Sequence, residues 1–406
     1  MPTLNTIAKF PLSAFTSNGV ETLRIEMDNH FGVFVPGNRV SGVVQLTLSV
    51  PIRANELRIG VYGKARTSWM VMQNSLTQYI SEQGVGCDMI PYESEEVYLC
   101  GETELWASAN NADEELPSGT HTFPFSFDLP LHCPPSFEGT AGYVRYYCKA
   151  LLDRPWKFDQ TTKCVFTVIP TVDLNQLPTV SLPIEVRQCG QVGLSCIKQR
   201  RIDLRMSISK SGHVPGEFIM VTLRIFNGSS NTIRRLDVRL LENASYTACM
   251  KRGYIHPETA PFRQTIERRY HTRILCHLTQ DLSIKRGCSS AYIKSIRIPP
   301  TAPTFNNCPI IQVEYFLQAQ ITVKGFLKNK ILTQLPIVIG TIPIKDIHVL
   351  DDHLSRSDVI YDHTSSTGDQ LPTYEDCVFG KGTMRDEEDN NDFAPKYVFY
   401  DNMKVQ

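Results

Sequence analysis

Apolar residues recur at every second position through most of the first 350 residues. Val44, Leu46, Leu48 and Val50 alternate with smaller or polar neighbours, as do Leu57, Ile59 and Val61, then Phe123, Phe125, Phe127 and Leu129. Each run is bounded by Pro, Gly, Asn or Ser. A period of two sends successive side chains to opposite faces of a strand, so these runs predict half-buried β-strands. Helical spacing is scarce; the best short candidates are Asn74 to Gln83 and Ala260 to Tyr270. The expected fold is all-β, built of antiparallel sandwiches that bury one face of each sheet.

The pattern repeats. Val35-Pro36-Gly37 recurs as Val214-Pro215-Gly216, and at the same offset Val44 aligns with Leu223, Leu46 with Ile225, Leu57 with Leu236, Ile59 with Val238 and Val61 with Leu240. At a slightly shorter offset, Leu129-Pro130 corresponds to Ile298-Pro299, and Pro134 to Pro303. The run Val144, Tyr146, Cys148, Ala150, Leu152 corresponds to Val313, Tyr315, Leu317, Ala319, Ile321. Shared Pro-Gly and aliphatic-Pro punctuation is more specific than matching alternation, and it predicts a duplicated domain. Proline fixes φ and glycine supplies a positive φ, which is what a type II turn entering a strand requires.

A proline-punctuated polar stretch from Ile169 to Pro178 reads as a linker, which places one domain at residues 1–172 and a second at 179–350. Alternation stops after Ile347. Residues 351–406 hold 13 acidic and 5 basic residues, whereas the preceding 350 hold 29 and 36. So charged and aliphatic-poor a stretch predicts a disordered acidic tail on a mildly basic body.

With 41 basic and 42 acidic residues overall, nothing in the total charge suggests nucleic acid or an anionic membrane. Residues 1–10 lack the features of a signal peptide and no run of eighteen apolar residues occurs, so the expected compartment is the cytoplasm. The twelve cysteines are dispersed and form no CxxC; Cys189 and Cys196 have no companion pair to make a zinc site. They read as reduced thiols, mostly small buried hydrophobes. The sequons at Asn227 and Asn243 are without meaning in a cytosolic chain. No Gly-rich phosphate loop and no His, Cys and acid grouping in motif context is present, so neither an enzyme nor a cofactor is expected.

Several segments together resemble one family. Phe34-Val35-Pro36-Gly37, Ser136-Phe137-Glu138-Gly139, Gly142-Tyr143-Val144-Arg145-Tyr146-Tyr147 and Leu152-Asp153-Arg154-Pro155-Trp156 look like the first-domain signature of α-arrestins, the arrestin-domain-containing proteins. Gly212-His213-Val214-Pro215-Gly216-Glu217 and Leu371-Pro372-Thr373-Tyr374-Glu375-Asp376 follow in matching order, so the resemblance spans about three-quarters of the chain. It implies two tandem arrestin-like immunoglobulin-type β-sandwiches without catalytic activity. It also implies a role in linking membrane cargo such as receptors or transporters to WW-domain ubiquitin ligases of the HECT class, with membrane association through partners at the plasma membrane or endosomes.

A Pro-x-Tyr segment in a solvated chain favours polyproline II; its proline lies in an aromatic WW groove while the tyrosine fills an adjacent pocket. In the first motif Leu371 stands where the family pattern has a proline, ahead of Pro372 and Tyr374. Leucine supplies apolar contact without the fixed φ, an expected loss of about 0.4–1 kcal/mol. A second candidate, Ala394-Pro395-Lys396-Tyr397, lacks that first proline and resembles the distal aromatic segment of family tails. Tyr374 and Tyr397 are 23 residues apart; a flexible linker of that length spans roughly 25 Å, adequate for tandem WW modules.

Basic groups at Lys198, Arg200, Arg201, Arg234, Arg235, Arg268 and Arg269 are suited to receptor phosphates, although charge on an exposed strand face explains them more simply. The Ser and Thr residues from Ser355 to Thr367 are candidate phosphorylation sites. The resemblance leaves two alternatives open: a thioredoxin-binding redox regulator, as it implies for some α-arrestins, although nothing around Cys249 and Cys276 in the second repeat marks a reactive thiol, and an arrestin-fold cargo scaffold without a ligase.

Overall fold

The computed structural model describes residues 19–73, 88–108, 115–190, 201–251, 265–325, 329–345 and 394–400. These residues form two compact units. The first is drawn from Met1–Lys64, Val97–Cys133 and Arg145–Val168, the second from Ala65–Glu96, Pro134–Val144 and Ile169–Gln406. Ala65–Glu96 and Pro134–Val144 thus belong to the second unit although they precede residue 172.

The first unit is a β-sandwich. One sheet is antiparallel and three-stranded, with Arg39–Leu48 between Val20–Met27 and Gly119–Asp128. In the other, Tyr146–Leu152 of the strand Gly142–Asp153 pairs antiparallel with Gln160–Val168, whose end runs parallel to Val33–Phe34. The alternation read from the sequence is the burial pattern: Val44, Leu46, Leu57 and Ile59 are wholly buried. Each such side chain contributes roughly 1.5–3 kcal/mol of apolar burial, enough for the period to dictate which face turns inward.

The second unit repeats the plan. Ile184–Gly190, Ile202–Ile208, Phe218–Asn227 and Ser289–Arg297 make a four-stranded antiparallel sheet. In the facing sheet Ile233–Met250 lies between Ile266–Ile284 and Ile311–Val323, and Lys330–Ile339 extends it. Gly212–His213 runs parallel to the end of that last strand, as Val33–Phe34 does in the first unit.

The duplicated turn is reproduced down to its hydrogen bonds. Asn38 N donates to Val35 O at 3.1 Å and Glu217 N to Val214 O at 3.1 Å, closing two type II turns with Gly37 at φ +84° and Gly216 at φ +96°. Gly37 N then donates to Leu129 O at 3.0 Å and Gly216 N to Ile298 O at 2.8 Å, so each turn is latched to the aliphatic-Pro step of its own unit.

The paired tyrosines diverge. Tyr146 and Tyr315 are both buried at equivalent places. The Tyr146 ring lies over Gly63, where a Cβ would strike it, and 6.0 Å from the ring of Phe166; its hydroxyl meets the Cys133 thiol. At the position that corresponds to Gly63 the second unit has Glu242, and the Tyr315 hydroxyl donates to Ala302 O at 2.7 Å while standing 3.3 Å from the Glu242 carboxylate.

Two segments depart from the alternation. Of the helical candidate Ala260 to Tyr270, the residues from Ile266 onward are strand, because sixteen residues of Ile266–Ile284 pair with Ile233–Met250 and that ladder overrides local spacing. Asn74 to Gln83 lies outside the described residues. The linker stretch is packed, not free. Asp173 caps a short 3-10 turn by accepting from Asn175 N at 3.0 Å, which drives Leu174 into the second unit's core. Asn227 of the first sequon is fully buried, its side-chain amide donating to Asn231 O and Ile284 O at 2.8 Å each.

Candidate partner-binding segment and its seat

Leu371, Pro372 and Tyr374 lie outside the described residues. Pro395 and Tyr397 are described, within a segment from 394 to 400 that has no regular secondary structure and belongs to the second unit.

The seat begins with the Val214-Pro215-Gly216 turn. Glu217 holds that turn by accepting from Val214 N at 3.1 Å while pairing with Lys210 Nζ at 2.5 Å. Burial works to raise the Glu217 carboxyl, but His213 and Lys210 outweigh it and keep it below the usual range. Beside the turn, Leu174, Val180 and Val214 form a buried cluster against which Val338, Ile344 and Tyr400 pack.

The segment is fastened along its length. Pro395 is buried. The Tyr397 hydroxyl donates to Ser136 O at 3.0 Å, Tyr400 N donates to Pro215 O at 3.0 Å, and the Tyr400 hydroxyl donates to Thr341 O at 2.7 Å. The Arg297 guanidinium lies 4.9 Å from the Phe399 ring centre and donates to Gly216 O at 3.2 Å, so one cation ties turn and segment together. A side chain on Gly216 would collide with the Tyr400 main chain, whereas the equivalent Gly37 faces the Leu131 side chain.

Elsewhere in this unit Glu242 is a buried carboxylate at the inward phase of its strand, between Leu240 and Ala244. It accepts from Arg273 Nη2 at 2.9 Å and from the Thr301 hydroxyl at 3.1 Å. Burial works to lower the Arg273 guanidinium, yet the Glu242 charge outweighs it and holds it above its ordinary value. Burial pushes the Tyr315 hydroxyl far up, and Glu242 adds to the shift. The signal missed in the sequence was a charged residue falling in phase with an apolar run.

Most described candidate cations have local partners. Arg235 pairs with Asp237 at 2.9 Å, Arg268 donates to Thr247 at 3.3 Å, and Arg269 pairs with Glu267 at 3.4 Å while lying 5.0 Å from the Trp69 ring. Arg201 and Arg234 are exposed, and Lys198 and Arg200 fall outside the described residues.

Cys249 is half-buried in an open depression lined by Arg66, Glu93, Ser94, Glu95, Met250 and Lys251. The Cys276 thiol lies 3.3 Å from Arg297 O. The buried Asp237 lies within hydrogen-bond reach of His277 and Thr279, but His277 presents the same Nε2 to both Asp237, at 2.9 Å, and Thr279, at 3.2 Å. A proton relay needs one ring nitrogen for each partner, so this group cannot activate the hydroxyl. Among the described residues no cluster of three His, Cys, Asp or Glu is placed to hold a metal, and no helix is long and apolar enough to cross a membrane.

Comparison with known proteins agrees with this architecture. Residues 23–175 match the family described as arrestin (or S-antigen), N-terminal domain, and residues 198–344 match arrestin (or S-antigen), C-terminal domain. The chain is 28% identical over 329 residues to arrestin domain-containing protein 17 of Caenorhabditis elegans, covering 80% of this chain and 71% of that protein. It is 28% identical over 323 residues to arrestin domain-containing protein 4 of Homo sapiens, covering 78% and 70%. To the thioredoxin-interacting protein of Sus scrofa it is 27% identical over 334 residues, covering 79% and 75%. With both sandwiches matched in order, the chain belongs to the α-arrestin family and is a non-catalytic adaptor or scaffold.

Proposed function

We propose that this chain is a cytoplasmic trafficking adaptor that joins membrane receptors or transporters to a WW-domain ubiquitin ligase of the HECT class, for ubiquitination and endocytic sorting. The observation that carries the reading is Pro372-Thr373-Tyr374 in an acidic stretch beyond two arrestin sandwiches. A Pro-x-Tyr segment offers a polyproline II face and an aromatic anchor to a WW groove. The sandwiches hold cargo and the tail brings the ligase, so the protein sits at the plasma membrane or endosomes through its partners. Calorimetric titration of the full chain with WW domains of a HECT-class ligase tests this. Micromolar binding lost in Tyr374→Ala is expected; unchanged binding in that variant rejects the first motif, and no binding by the wild type rejects ligase recruitment.

A second reading, a thioredoxin-binding redox regulator, draws on the name of the thioredoxin-interacting relatives and on the half-buried Cys249 at its open depression. Incubation with a thioredoxin that lacks its resolving cysteine and carries thionitrobenzoate on its remaining cysteine tests it, since the Cys249 thiolate then forms the new disulfide as thionitrobenzoate leaves. A mixed disulfide lost in Cys249→Ser supports the reading, and no mixed disulfide removes it.

A further inference from the structure

We propose that residues 394–400 are a strap that withholds the Pro395–Tyr397 motif from WW domains, so that the second motif engages a ligase only after the strap leaves its seat. The inference rests on the WW reading above and adds a condition to it.

WW recognition takes the proline face into an aromatic groove and the tyrosine ring into a pocket. Here both features are already occupied. Pro395 is buried, and the Tyr397 hydroxyl is bonded to Ser136 O. The two residues cannot lie on the second unit and in a WW groove at once, so docking and ligase binding exclude each other.

The seat is shaped for this segment. Three of its bonds to the strap end on main-chain carbonyls, those of Ser136, Pro215 and Thr341. Arg297 faces Phe399, Tyr400 completes the cluster of Leu174, Val180 and Val214, and Gly216 leaves the gap through which the strap's main chain passes. The first unit has the same turn, but there Leu131 fills the space above Gly37. The chain thus holds two such turns, and in the second the space is filled by its own residue 400.

The anchors at Phe399 and Tyr400 lie outside the Pro-x-Tyr triplet, so the strap can be loosened with the motif intact. A motif that is free for only a fraction of the time binds with an affinity reduced by that fraction.

The test uses the full chain in a Tyr374→Ala background, which silences the first motif, with one WW domain of a HECT-class ligase as the probe. Tyr400→Ala loosens the strap from its own side; Arg297→Ala does so from the seat and leaves the tail sequence unchanged. Each double variant is expected to bind the WW domain at least about tenfold more tightly than Tyr374→Ala alone. Hydrogen exchange at the Tyr400 amide, slow in the Tyr374→Ala chain, is expected to accelerate when the WW domain saturates it. Equal affinity across the three chains overturns the proposal. So does an absence of WW binding by both double variants, or a Tyr400 amide that exchanges at the rate of an unstructured peptide without any WW domain. The adaptor reading is judged separately, by wild type against Tyr374→Ala.

Discussion

Gly37 and Gly216 occupy the same place in two copies of one turn, at φ +84° and +96°, and differ in what lies above them. A Cβ on Gly37 would meet the movable Leu131 side chain, and one on Gly216 would meet the main chain of Tyr400. Alanine at either position is strained at positive φ and is expected to cost more than about 1 kcal/mol in urea unfolding. Gly216→Ala is expected to free the strap as well, read as faster exchange of the Tyr400 amide; Gly37→Ala leaves that amide protected.

Removing only the Tyr400 hydroxyl separates the strap from the core. Tyr400→Phe deletes the 2.7 Å bond to Thr341 O, worth about 0.5–1.5 kcal/mol. Because a short segment opens on its own more readily than a sandwich unfolds, the expected result is a roughly threefold to tenfold rise in exchange at residue 400 with little change in the global unfolding midpoint.

The buried carboxylate of Glu242 makes a graded series. Arg273→Ala leaves it without its cation and is expected to cost about 3 kcal/mol, the low end for a broken buried pair because the Arg273 side chain keeps 32% of its exposure. Thr301→Val removes one hydrogen bond to the same oxygen and is expected to cost about 1 kcal/mol. Denaturant unfolding of both variants checks the order; equal losses would mean that the charge carries no special weight.

Much of the fold was legible because a strand writes its period into the chain. Val144, Tyr146, Cys148, Ala150 and Leu152 and their five counterparts in the second repeat are all buried, as the alternation requires. The strap was legible only as a Pro-x-Tyr motif. Its docking depends on main-chain carbonyls of Ser136, Pro215 and Thr341, and carbonyls are the same in every residue, so no side-chain pattern announces them. Ala260 to Tyr270 misled for a related reason, since strand pairing over Ile266–Ile284 is a relation to another segment. Glu242 could have been found by carrying the alternation one step past Leu240.

Acid should weaken the second unit in a defined direction. Hydrogen bonding from Arg187 holds Asp203 low. Burial works to raise Asp237 and Glu217, but Arg235 with Thr279 and His277 outweighs it at the first, and His213 with Lys210 at the second. A carboxyl depressed in the folded state contributes stability that is complete above its unfolded value, near 4, and is lost as pH falls through the lower folded value. Urea midpoints are therefore expected to lose nothing from these groups between pH 7 and about 5, and to fall below about pH 4. Asp237→Asn should make that acid limb shallower.

Tyr146 and Tyr315 hold matched places in two sandwiches of one plan and serve different neighbours. Over Gly63 the first is a packed ring; near Glu242 the second is a hydroxyl beside a buried charge. At the matched position one sandwich carries glycine and the other a buried glutamate, and both close their cores around the tyrosine. Within a single polypeptide, then, one plan supports two interiors: the first closes on an aromatic ring packed over glycine, and the second encloses a carboxylate and its partners.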